Sequence, residues 1–188
     1  MEAVDTVRNG IDVGQLVETI GAVKTDESLG RPTFKTSSTW REGTRHSGQI
    51  LGFVHAGVPD ATRSAPFTLE GDGPPVILAN NAGPNAAELL WQALGFCYGV
   101  GYVANAAAQG IDITFLEIEV EGDLDMRSFL GLQGPPAGFT SIRAKAKVSS
   151  PKASEAQLQD LCHYVQDTSP VRDCLANPVA VKTVLEIV

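Results

Sequence analysis

Cysteine is scarce in this chain. Only Cys97, Cys162 and Cys174 occur among 188 residues, too few and too unevenly spaced for the disulfide framework of a small secreted domain. Positive charge is scarce as well: 14 Lys and Arg stand against 22 Asp and Glu, a formal net charge of −8. A surface short of cations cannot neutralise phosphates, so nucleic acid is excluded as an expected partner. The histidines, His46, His55 and His163, lack zinc-site spacing, with Cys162 and His163 adjacent rather than two to four apart, and no metal is expected. The run Gly71-Asp72-Gly73-Pro74-Pro75 lacks the Lys-Ser/Thr of a phosphate loop and reads as a turn, so no nucleotide cofactor is expected either. No basic leader with an apolar core opens the chain. A reducing cytoplasm is the expected location.

What is present is one long apolar run. ELLWQALGFCYGVGYVANAAAQG, Glu88 to Gly110, carries one charged residue and has the length of a membrane span. Yet no Lys or Arg occurs between Arg63 and Arg127, and Gln92 and Asn105 interrupt the run. The missing cationic anchors favour a buried helix over a spanning one, with no membrane partner. Asn85 serves as its cap and Gly110 as its stop.

Around this helix the pattern is mixed. Periodic apolar positions from Val7 to Val23, ending at Gly30-Arg31-Pro32, predict a peripheral helical segment over 1–32. The core, 33–188, completes a single expected domain. Thr33 to Val54 predicts two antiparallel strands around a Glu42-Gly43 turn, and Ser64 to Leu69 a further strand. Ile113 to Glu121 alternates apolar with acidic residues, and Ser141 to Ser149 repeats the alternation with basic ones, which predicts an antiparallel pair with opposite charges facing each other. Ser154 and Ser169-Pro170 open two helices. Val179 to Val188 predicts a closing strand. The order of elements indicates an α+β fold.

A helix apolar around its circumference needs cover on every side, and one sheet with one other helix cannot supply it. A second copy can, so an obligate homodimer is expected. Cys97, in the middle of this helix, has two readings. Free cysteines often serve as small buried hydrophobes. A reactive thiol instead needs its usual pKa of about 8.5 lowered by a helix N-terminus or a cation; the helix start is about three turns away, so an imported Arg or Lys is required. Arg41 and Arg45 in WREGTRHSGQI are the nearest in type, with solvated strand charges as their alternative role.

Taken together, GPNAAELLWQALGFC, GID.T.LEIEVEGDLD, GF.SIR.KAKV and SPVRDCLANPVAV, in that order, resemble the OsmC/Ohr family of hydroperoxide-reducing proteins from about Trp40 to the C-terminus. The resemblance implies an intertwined homodimer with antiparallel sheets wrapped around two central helices. In redox-active members a cysteine on the central helix attacks the peroxide and an Arg of the N-terminal sheet stabilises its thiolate. A Glu holds that Arg, and the cysteine of a Cys-Pro-Val motif resolves the sulfenic acid. Cys97 matches the first, and Arg45, with Arg41 as the alternative, the second. Ala86-Ala87 stand where the family has Pro-Glu. Glu88 is one residue late, and at nine positions before Cys97 it lies about half a turn out of phase. Ser169-Pro170-Val171 replaces Cys-Pro-Val, marking a divergent branch. Cys174, about 140° round a helix from Ser169, does not replace the missing thiol directly, and Cys162 reads as core. The resemblance implies thiol-dependent reduction of a small hydrophobic hydroperoxide through a single peroxidatic cysteine, in which an external thiol must reduce the sulfenic acid. The alternative is a non-redox dimer that binds a small hydrophobic ligand in the interface pocket.

Overall fold

The computed structural model describes residues 7–177 and 179–188; the first six residues of the 1–32 segment lie outside them. The chain divides into two compact units, Asp12–Leu90 and Met1–Ile11 with Trp91–Val188.

In the first unit, Asp12 caps α1 (Val13–Thr25), its carboxylate accepting from the Gln15 N–H. A 3-10 turn over Glu27–Gly30 follows, so the helix is interrupted before the Gly30-Arg31-Pro32 stop. The hairpin β3 (Thr33–Glu42) and β4 (Arg45–His55) turns at Gly43-Thr44, as expected from the Glu42-Gly43 pair. Short β5 (Val58–Pro59) and β6 (Phe67–Gly71) also pair with β4, completing a four-stranded antiparallel sheet. The strand expected over Ser64 to Leu69 thus starts three residues later. Asp72, at the end of β6, is buried and accepts hydrogen bonds from Thr44 Oγ1 at 2.5 Å, Gly73 N at 2.8 Å and Ala82 N at 3.0 Å. These bonds, that from Thr44 foremost, hold its carboxyl at about 2. One carboxylate thereby ties the β3–β4 turn to the loop that leads into the long helix.

That helix, α2 (Ala86–Ala108), matches the apolar run. In the second unit β7 (Phe115–Leu124) and β8 (Phe139–Ser149) form the expected antiparallel pair with opposite charges facing, Glu117 opposite Lys147, Glu119 opposite Lys145 and Glu121 opposite Arg143. Lys147 bridges Glu117 and Glu119, and Arg143 bridges Glu121 and Asp123. The opposite face of β7 presents Leu116, Ile118 and Val120 to a core built on Leu94, Tyr98, Tyr102 and Ala106 of α2 with Leu161 and Val165 of α3 (Glu155–Thr168). Gly122 has to lack a side chain because the Trp91 ring lies where a Cβ would stand. Ser154 caps α3 reciprocally with Gln157, and Ser169 with Pro170 opens α4 (Pro170–Ala176) as expected.

Two differences stand out. Val7–Arg8 (β1) and Ile11–Asp12 (β2) form a small hairpin ahead of α1, with Asn9 and Gly10 at positive φ. The Asn-Gly pair is a recognised hairpin signal. Asn9 then stitches this turn to Ile111 and Ile113 by side-chain hydrogen bonds. The second difference is at the C-terminus, where 179–188 is not a strand. Its β-branched residues suit a strand, but no strand among the described residues pairs with it, and Val181, Val184, Leu185 and Ile187 are left exposed. Such residues form a strand only where a neighbour accepts the backbone bonds.

Candidate functional site

The buried stripe of α2 repeats every four residues, Leu94, Tyr98, Tyr102 and Ala106. On the other side of the helix Phe96 is 68% and Val100 71% exposed. The helix is therefore dry on one face only, and its second apolar face is bare. Cys97 sits between these faces, half-buried, beside a cavity of about 560 Å³ lined by Phe96, Val100, Tyr164, Val165 and Pro170.

One polar group meets the sulfur. Cys97 Sγ lies 3.1 Å from Ser169 Oγ, and Ser169 is only 5% exposed. This serine is fixed by its own helix: as the cap of α4 it accepts from Arg172 N at 3.2 Å, with Pro170 holding the first helical φ. The two residues 72 positions apart that the sequence pairs as attacking and resolving positions are thus in contact, with a hydroxyl on the second. A hydroxyl donates to a thiolate but forms no disulfide with it.

The other candidates have separate surroundings. Arg41 and Arg45 lie at the β3–β4 hairpin in the Asp12–Leu90 unit, where Arg45 Nη1 stands 3.6 Å from Glu42 in an exposed ion pair. Glu88 closes a capping box at the start of α2: it accepts from Asn85 N at 2.8 Å while Asn85 Oδ1 accepts from Glu88 N at 3.0 Å. Its carboxylate is engaged in holding the helix end. Cys174 is exposed, and all three cysteines are free thiols. Cys162 receives a hydrogen bond from Gln166 Nε2 at 3.2 Å and faces Tyr102, whose phenol is pushed up by burial and by that thiol. Burial also pushes Tyr98 up, against the opposing charge of Arg172. Sequence reasoning left Ser169 as a lost thiol and did not single out Arg172; its spacing three after Ser169 is that of a capped turn and carries no signal of a site. No helix among the described residues is long and apolar enough to cross a membrane.

The model of the OsmC-like protein family matches residues 79–184, more than half of the chain. No curated protein matches. Among solved structures, the chain is similar to an OsmC-like protein from Mycoplasma pneumoniae, at 18% identity over 78% of this chain and 89% of that one, with a TM-score of 0.58. An OsmC-like protein from Vibrio cholerae is similar at 13% identity over 75% and 92%, TM-score 0.55. An organic hydroperoxide resistance protein OsmC from Legionella pneumophila follows at 12% identity over 76% and 88%, TM-score 0.52. At these identities the likeness is one of fold. The family match covers α2 with Cys97, the β7–β8 ladder and the α3–α4 pair with Ser169, and the chain belongs to the OsmC-like protein family.

Proposed function

We propose that this protein reduces small hydrophobic organic hydroperoxides through Cys97 alone, as a cytoplasmic homodimer. The observation that carries the reading is the contact of Cys97 Sγ with the buried Ser169 hydroxyl beside an apolar cavity. The thiolate attacks one peroxide oxygen, the O–O bond breaks, and the departing alkoxide takes a proton, which leaves cysteine sulfenic acid and an alcohol. An external thiol then condenses with the sulfenic acid, releasing water, and a second equivalent frees Cys97 as the external disulfide forms. Ser169 donates to the sulfur, and Arg45 or Arg41 supplies the positive charge that a thiolate requires. The absence of a family Glu at Ala87, with Glu88 engaged in capping, leaves the Arg to be held by other contacts.

Stopped-flow mixing with cumene hydroperoxide tests this. Cys97 is expected to oxidise much faster than a free thiol, and Cys97→Ser to reduce turnover to the uncatalysed rate. Oxidation no faster than a free thiol removes the peroxidase reading. The apolar lining of the cavity beside Cys97 favours a second reading, binding of a small hydrophobic ligand without redox chemistry. Ligand retained in native mass spectrometry, and retained equally by Cys97→Ser, selects it.

A further inference from the structure

A second cavity, of about 410 Å³, lies in the Trp91–Val188 unit and shares no lining residue with the one beside Cys97. Its volume is at the lower end of what small-ligand sites occupy. Leu94, Ile142 and Leu175 supply apolar wall, and Tyr98, Gln166 and Arg172 supply polar groups. No Asp or Glu lines it.

Two polar groups in this lining are placed to meet a ligand. Tyr98 is 7% and Tyr102 2% exposed, and buried phenols ordinarily find a hydrogen-bond partner. Tyr102 has the Cys162 thiol beside it, while Tyr98, close to the charge of Arg172, lines the cavity. Arg172 is the second. Arg8, Arg31, Arg45, Arg127, Arg143 and Lys147 each stand against a carboxylate; Arg41 and Arg63 do not among the described residues, but neither lines this cavity. Arg172, half-buried, is tied among the described residues only through Nη1 to the Gln166 carbonyl at 3.3 Å. Arg172, with no carboxylate against it among the described residues, lines a cavity of mixed polar and apolar wall that holds no Asp or Glu, and in a chain of net charge −8 it is placed for an anion.

We infer that this cavity binds a small amphipathic carboxylate, its head on the Arg172 guanidinium and the Tyr98 hydroxyl and its hydrocarbon body against Leu94, Ile142 and Leu175. Arg and carboxylate match as a two-pronged, charge-assisted pair, and the apolar walls favour a hydrocarbon body over a small inorganic anion. The site stands apart from the peroxidase reading, since Cys97 does not line it.

The test uses hexanoate, 1-hexanol and hexylamine as probes of the full chain by calorimetry, with Cys162 alkylation as an independent readout in a Cys97→Ser, Cys174→Ser background. Hexanoate is expected to bind saturably at one per chain, at least about tenfold tighter than 1-hexanol, as a charge-assisted pair requires. Hexylamine is expected not to bind. Arg172→Gln should lower hexanoate affinity to that of 1-hexanol, and saturating hexanoate should slow iodoacetamide modification of Cys162, which lines the cavity. Equal binding of hexanoate and 1-hexanol to the unaltered chain, or unchanged Cys162 modification under saturating hexanoate, overturns the inference even where Arg172→Gln fails to fold. Cumene hydroperoxide turnover in the same samples reports on Cys97 separately.

Discussion

A serine hydroxyl 3.1 Å from a cysteine sulfur limits what the pair can do: a hydroxyl can share a hydrogen bond with the sulfur but cannot form a disulfide with it. Restoring a thiol there tests the geometry. Ser169→Cys is expected to convert the one-thiol cycle into an internal disulfide with Cys97, seen after one equivalent of cumene hydroperoxide as the loss of two hydrogens in the intact mass. The unaltered protein should instead gain oxygen and proceed to sulfinic acid when no external thiol is present. Gain of oxygen by the variant as well would show that the two positions cannot reach disulfide geometry. A second residue-scale outcome concerns Asp72. Its carboxyl, held at about 2 in the fold against 3.8 as a free side chain, binds protons less readily when folded. Its contribution is therefore fully present above the unfolded value and is lost as pH falls through about 2. Asp72→Asn should lower the thermal midpoint at neutral pH and flatten its fall between about pH 4 and about pH 2 relative to the unaltered protein; parallel curves would assign the acid sensitivity to Asp123 and Asp125, which are held down in the same way. The sequence shows Asp72 only as part of a Gly- and Pro-rich turn. What makes it a hub is Thr44, 28 residues earlier, and no local pattern reports that.

Between elements, α2 and α3 approach at one point through glycine. A Cβ on Gly101 would come within 3.0 Å of Val165 Cγ1, so this core side chain would have to give by a few tenths of an ångström. Gly101→Ala is expected to destabilise by about 1–3 kcal/mol, the ordinary cost of overfilling a packed core, against the helix-propensity gain of about 1 kcal/mol that Ala brings elsewhere. Chemical denaturation measures it, and Val165→Ala in the same chain should recover part of the loss; additive losses would place the strain elsewhere. The same scale shows which elements a sequence reveals. β7 and β8 were legible because two local signals agree, alternation and opposite charge, while the register of Glu117 with Lys147 is set by the structure, since a shift by two also pairs acid with base. The segment 179–188 carries only its β-branched composition, with neither alternation nor a charge pattern. A strand is a relation between two backbones, and its apolar residues remain exposed here for want of the second. α2 was legible in extent, but its periodic stripe was masked because the bare face, Phe96 and Val100, is as apolar as the covered one.

For the whole molecule, that bare face has a thermodynamic consequence. Phe96 and Val100 lie on one side of α2 and flank the cavity that holds Cys97, so any cover over them also closes the sulfur away from water. In the proposed dimer a second copy related by a two-fold axis would bring the same pair from each chain to one seam, and each such side chain, once fully buried, would contribute about 1.5–3 kcal/mol. Val100→Asp removes two of these contributions per dimer and sets a carboxylate from each copy in the seam. The loss is then at least about 3 kcal/mol, or more than a hundredfold in the dissociation constant. Sedimentation should find the unaltered protein dimeric at micromolar concentration and Val100→Asp monomeric, and hydroperoxide turnover should fall with the dimer population as the variant is diluted. A stable, active monomer of the unaltered protein would show that this face is not closed by a second copy. Turnover that survives in monomeric Val100→Asp would show that the chemistry of Cys97 needs no cover beyond its own chain.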